Sequence, residues 1–152
     1  MVNLWIVILT LFAIAAICKA IMDTVDFRFE NSIFNKIKSE QIRLWFNQSE
    51  GWKNKYKDRD PAQGRAFPGS LTWLVWVTDA WHFFQMIMLT CMQVAVIIPI
   101  IVIFGFPWWS LFVMLVVIKL YMGGIFELFW DKLLKDKKKN ETKNTNNRQI
   151  HK

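Results

Sequence analysis

The stretch Leu71–Phe104 constrains this chain more than any other. It runs for 34 residues in which only Asp79 and His82 are expected to carry charge. A helix rises about 1.5 Å per residue, so the run would reach roughly 51 Å, against a hydrocarbon core of about 30 Å. One simple span cannot use all of it. Phe83–Phe104 holds no ionisable group except the Cys91 thiol, as a span requires. Leu71–His82 instead carries Trp73, Trp76, Trp81, Thr72, Thr78, Asp79 and His82, a mixture suited to the headgroup level. The pattern predicts one long helix, N-capped by Ser70 after Pro68-Gly69. Its first turns lie in or below the interface and the remainder crosses the bilayer.

At about 100° per residue, Thr72, Asp79, His82, Gln85, Thr90 and Gln93 share one side of that helix. A polar stripe is costly against lipid, so it is expected to face protein or a water-filled cavity. Adhesion between helices is the plainer reading of such a stripe, and a binding site the sharper one. Pro99 is expected to kink the outer end without terminating it.

Two further apolar runs complete the frame. Val2–Ala20 is interrupted only by Asn3 and Thr10 before Lys19. A signal peptide would open on a basic segment; no side chain before Lys19 is basic, so the run is read as a retained anchor. Pro107-Trp108-Trp109-Ser110 opens a third run to about Trp130, with Lys119 near its middle and Gly123-Gly124 where another helix could approach closely. The expected fold is an all-α integral membrane protein of three transmembrane helices, with spans at about 2–21, 83–104 and 108–130. The middle helix is extended at its cytoplasmic end, and a loop at about 39–70 forms a cytoplasmic interfacial segment. Residues 1–134 make a single membrane domain. Residues 135–152 make a disordered basic tail, since apolar side chains almost vanish after Leu134.

Basic residues decide orientation. Nine Lys/Arg lie between Asp23 and Ser70 and eight between Asp131 and Lys152, while Gly105-Phe106-Pro107 has none. Three spans put both basic segments on one side. The expectation is an amino terminus outside, a cytoplasmic carboxyl terminus, and the cell inner membrane as location. Asn47-Gln48-Ser49 and Asn140-Glu141-Thr142 match the glycosylation tripeptide but fall on the cytoplasmic side. Lys19, Asp23, Asp26 and Glu30 recur at helical spacing on a helix expected to continue past the membrane. Phe27, Phe29, Ile33, Phe34 and Ile37 suit its membrane-surface side.

This topology gathers ionisable groups into one layer beneath the inner leaflet. The candidate polar site comprises Asp23, Asp26, Arg28, Asp79, His82, Gln85, Lys119 and Glu127. Asp23-x-x-Asp26 and Asp79-x-x-His82 each present two side chains on one helical face. With Glu127 they offer carboxylate and imidazole ligands to a divalent metal, Asp79 and His82 first among them. At headgroup level such a metal would suit chemistry on a lipid phosphate. Asp23-x-x-Asp26 resembles a fragment of the aspartate-rich motif of membrane phosphatidyltransferases, whose glycines and further aspartates this chain lacks. The competing reading is an interhelical network of acids and bases.

Other chemistries find no support. His82 beside Asp79 suits a general base, yet no serine or cysteine nucleophile stands at a recognisable spacing. There is no CxxC pair, histidine cluster, P-loop or dinucleotide glycine motif, and the sequence names no cofactor. Cys18 and Cys91 both fall inside expected spans, which argues against a disulfide framework. Trp52, Lys53, Lys55, Tyr56 and Lys57 interleave aromatics with cations. At a membrane face such a run is expected to meet anionic lipid headgroups, at about 1 kcal/mol per basic residue; no nucleic-acid partner is expected. In topology alone the chain resembles three-span phage holins, although the 48-residue segment Asp23–Ser70 is long for that class. The reading that results is a small integral membrane protein acting as a non-catalytic scaffold, partner-binding or lipid-binding subunit. Its partner would be lipid, another membrane protein or a second copy of itself.

Overall fold

A computed structural model describes residues 3–129, which are helical apart from turns and one isolated bridge. The expected tail, 135–152, lies outside the described residues. Two compact units divide the chain, Met1–Leu111 and Phe112–Lys152.

In the first unit, helix α1 (Leu4–Phe27) is opened by the Asn3 side chain accepting from the Trp5 amide. Its buried residues Ala15, Cys18, Met22 and Val25 are spaced by three or four, one stripe of a helix. That stripe packs along helix α4 (Ala80–Phe104), whose Ala95 and Ile97 are also buried. At 24 and 25 residues the two helices reach about 36 and 38 Å. Each is long and apolar enough to cross a membrane, and only 11 % of the most apolar stretch of each is buried. A core helix of a soluble domain would be mostly covered. Here Trp5, Leu9, Ile17, Val96, Val102 and Ile103 are all exposed.

Between the two helices the chain builds a polar head. Short 3₁₀ turns (Phe29–Asn31 and Ile33–Lys36) lead to α2 (Glu40–Phe46) and to a single helical turn, α3 (Gln48–Gly51). A hairpin-like loop follows, closed by the Tyr56–Arg65 bridge, with Lys57 N–H donating to Gly64 O and Ala66 N–H to Lys55 O. The end of α1 shares a cleft with Asn47 and Ser49, while Gly51 packs against Asp79 at the start of α4. The end of one long helix and the start of the other therefore lie on the same side, so α1 and α4 run antiparallel.

Two expected helices end earlier or start later than their periodicity suggests. The long middle helix does not begin at Ser70, and its expected extension is not α-helical. Residues 70–79 form turns and a short 3₁₀ stretch, Val75–Val77. The Ser70 hydroxyl donates to Lys55 O, and the carbonyls of Val77 and Thr78 accept from Trp45 and Asn54 side chains. These tertiary bonds take acceptors that an α-helix would use, in a stretch of β-branched residues with weak helix propensity. Likewise α1 stops at Phe27. Ser32 is extended and bonds its hydroxyl back to Phe29 O, leaving Phe29–Lys36 as separate turns rather than a continuing amphipathic helix.

At its far end α4 passes through Pro99 and stops at Gly105, whose left-handed φ of 66° lets the Gly105 and Phe106 amides donate to Ile101 O. Helix α5 (Ser110–Glu127) is apolar and opens with the Ser110 hydroxyl bonded to Pro107 O. At 18 residues it reaches about 27 Å. Lys119 is exposed along it.

Candidate functional site

Asp79 is the centre of the head. It is fully buried, as are its neighbours Thr78 and Ala80. Extended at φ −153° and ψ 161°, it is the N-cap of α4, and its Oδ1 accepts from the His82 amide at 3.0 Å. The His82 ring folds back over the same carboxylate, Nδ1 lying 2.9 Å from Oδ1 and 2.7 Å from Oδ2. The Thr78 hydroxyl stands 2.7 Å from Val75 O and 3.1 Å from Asp79 Oδ2, and its single proton serves one of them at a time. Burial pushes the Asp79 carboxyl up, but bonds from the His82 ring and amide and from Thr78 outweigh it, so the group ends below its ordinary value. A carboxylate at a helix N-terminus is also favoured by the helix dipole.

What encloses this pair comes from the loop. Trp45 Nε1 donates to Val77 O at 3.2 Å and Asn54 Nδ2 to Thr78 O at 2.9 Å. A Cβ built on Gly51 would stand 3.2 Å from the Asp79 Cβ and about as close to two carbonyls of α2, so any larger residue there would press its neighbours aside. An aromatic cluster joins the head to the first turns of α4: Phe34 stacks on Phe46 at 4.5 Å, Trp45 meets Phe83 at 5.6 Å, and Trp76 meets Phe83 at 6.3 Å.

Of the eight candidate site residues, the structure brings together Asp79 and His82. Gln85 lies half-buried one turn further along α4. Asp23 pairs instead with Lys19 on the outer face of α1. Asp26 and Arg28 are exposed at the end of that helix. Lys119 and Glu127 belong to α5 in the second unit. Among the described residues, no three His, Cys, Asp or Glu side chains stand where they could hold a metal ion, leaving Asp79 and His82 as two ligands of an incomplete set.

The aromatic–cationic run is largely engaged within the head. Lys53 and Arg59 both pair with Glu50, at 3.0 and 3.2 Å. Lys55 lies over the Trp52 and Tyr56 rings at 5.8 and 5.6 Å, and Lys57 is the exposed one of the run's three lysines. Sequence reasoning missed Trp45, Gly51, Asn54 and Thr78 as members of the Asp79 environment. The one available signal was Asp79 standing directly before an unbroken apolar run, a helix-start pattern that competed with Ser70.

Chemically, an aspartate holding one nitrogen of a histidine is the orienting half of a general base. Asp79 is buried, the His82 ring is 23 % exposed, and among the described residues Asp79 is the ring's only hydrogen-bonding partner. The fold and the site together define an all-helical protein with two long apolar helices able to span a membrane and a polar head between them. No protein-family model matches the chain, and no curated protein or solved structure does so either.

Proposed function

We propose that the protein is a non-catalytic component of the cell inner membrane, in which α1, α4 and α5 all cross the bilayer and the head is a rigid cytoplasmic platform for lipid or for a membrane partner. The observation that carries this reading is the use made of Asp79 and His82. The carboxylate has no exposed surface and its bonds cap α4 and hold the adjoining turn. Those bonds are what a structural joint requires, tying the Thr78 turn of the head to the first turn of α4. The amino terminus outside and the head and tail inside follow from the one-sided distribution of Lys and Arg.

Elemental analysis of the purified protein, with Asp79→Ala beside it, tests the reading. A platform carries no stoichiometric divalent metal. Metal at one per chain, lost in Asp79→Ala, would turn the reading to a metal-dependent enzyme acting on a lipid phosphate. Protease protection of a carboxyl-terminal tag in sealed inverted vesicles tests the orientation: the tag is digested if that terminus is cytoplasmic.

A further inference from the structure

The head carries an apolar corner that its own packing leaves uncovered. In the turn before α4, Leu71 is 46 % and Trp73 72 % exposed, while Ser70 between them and the loop is fully buried. The corner is built rather than loose. Ser70 Oγ anchors it to Lys55 O, and Thr72 and Leu74 amides both donate to Gly69 O. Gly69 has a φ of 88°, and a Cβ there would stand 2.9 Å from two atoms of the Trp73 indole, so the ring lies directly over the bare glycine. At the exit of α1, Phe27 and Ile33 are 77 % and 75 % exposed. Both stretches adjoin the ends of long apolar helices that lie on one side of the first unit. Exposed cations stand close by in sequence: Lys36 and Lys38 after Ile33, and Arg65 before the Gly69 turn.

From this we infer that the Leu71–Trp73 turn is a wedge inserted into the phospholipid headgroup layer of the membrane that α1 and α4 cross, with the neighbouring cations meeting lipid phosphates. The inference rests on the membrane reading above and adds to it the side chains that meet lipid. Tryptophan is favoured at that depth because its ring is apolar and its N–H is not. Holding the ring over Gly69 before insertion reduces the ordering cost of binding. An apolar corner on the most polar part of a chain otherwise marks a surface meant to be covered. The continuity of this corner with the start of α4 names the bilayer as its cover.

The test is spin labelling of the full chain with Cys18 and Cys91 replaced by alanine, reconstituted in phosphatidylcholine vesicles containing phosphatidylglycerol. Labels go in turn at Trp73→Cys, Leu71→Cys, Lys57→Cys and Val96→Cys. Collisions with oxygen, which concentrates in lipid, are compared with collisions with a water-soluble nickel chelate. Oxygen excess at 71 and 73, with chelate excess at 57, is the expected result, and Leu71→Cys reports the same turn if Trp73→Cys does not reconstitute. Chelate excess at 71 and 73, or exclusion of both reagents by a covering protein surface, overturns the wedge. The label at 96, on an exposed part of α4, separates the two failures. Oxygen excess there with chelate excess at 73 sinks the wedge alone, whereas chelate excess at 96 sinks the membrane reading with it.

Discussion

Replacing Asp79 tests the architecture most directly, because two substitutions remove different parts of its role. Alanine removes the N-cap acceptor, which is worth about 1 kcal/mol. It also removes the acceptor of the His82 ring, and a hydrogen bond to a charged group contributes roughly 1.5–3 kcal/mol. The ring is only 23 % exposed, so water compensates part of that loss. The sum is about 3 kcal/mol, roughly a hundredfold in the folding equilibrium. Asparagine keeps the shape and remains a good N-cap, so Asp79→Asn is expected to cost about 1 kcal/mol, the charge-assisted share alone. Both variants retain the Cβ that packs against Gly51, which cancels that contact from the comparison. The assay is reversible unfolding in mixed detergent micelles followed by tryptophan fluorescence, with His82→Ala completing a double-mutant cycle. A loss below about 0.5 kcal/mol in Asp79→Ala would refute the keystone role. Equal losses in the alanine and asparagine variants would refute the share assigned to the N-cap, which asparagine retains.

The remaining expectations are briefer. The Asp79 carboxyl sits below its ordinary value of 3.8, so its contribution to stability is full above that pH and is lost as pH falls through the depressed folded value. The difference between wild type and Asp79→Asn should therefore shrink only in acid below about pH 4; a difference that vanishes nearer neutrality contradicts the assignment. Gly51→Ala, at an ordinary helical φ of −60°, acts through space alone. Its Cβ presses on two carbonyls and on Asp79, and a cost of about 1–3 kcal/mol is expected in the same assay. Gly105→Ala is the converse, with nothing within 4 Å and a φ of 66°, so only backbone strain of about 1 kcal/mol enters. Gly105→Asn should recover much of it.

Helical class and the apolar runs were legible because they depend on composition and on local periodicity. Asp79 and His82 were legible as a pair because an i,i+3 spacing at a helix start is itself local. The path from Ser70 to Thr78 was not. Its hydropathy continues that of α4 without a break, and what stops the helix is a set of donors far away in sequence, Trp45 and Asn54, aimed at Val77 and Thr78 carbonyls. Periodicity carries no trace of a bond spanning 32 or 24 residues. Lys53 and Lys55 were read as surface cations for a different reason. Their partners, Glu50 and the Trp52 and Tyr56 rings, are near in sequence, but the turn that brings them together is set by tertiary packing.

The bonds from Trp45 and Asn54 to carbonyls that follow them in the chain also impose an order on synthesis. When residue 54 leaves the ribosome, its acceptor at residue 78 still trails 24 residues behind it, and the carboxylate that organises the centre follows one residue later. The head cannot close until the opening turn of α4 has emerged. A nascent chain arrested shortly before Val77 would hold its indole and amide donors without their acceptors, open to chaperones and proteases.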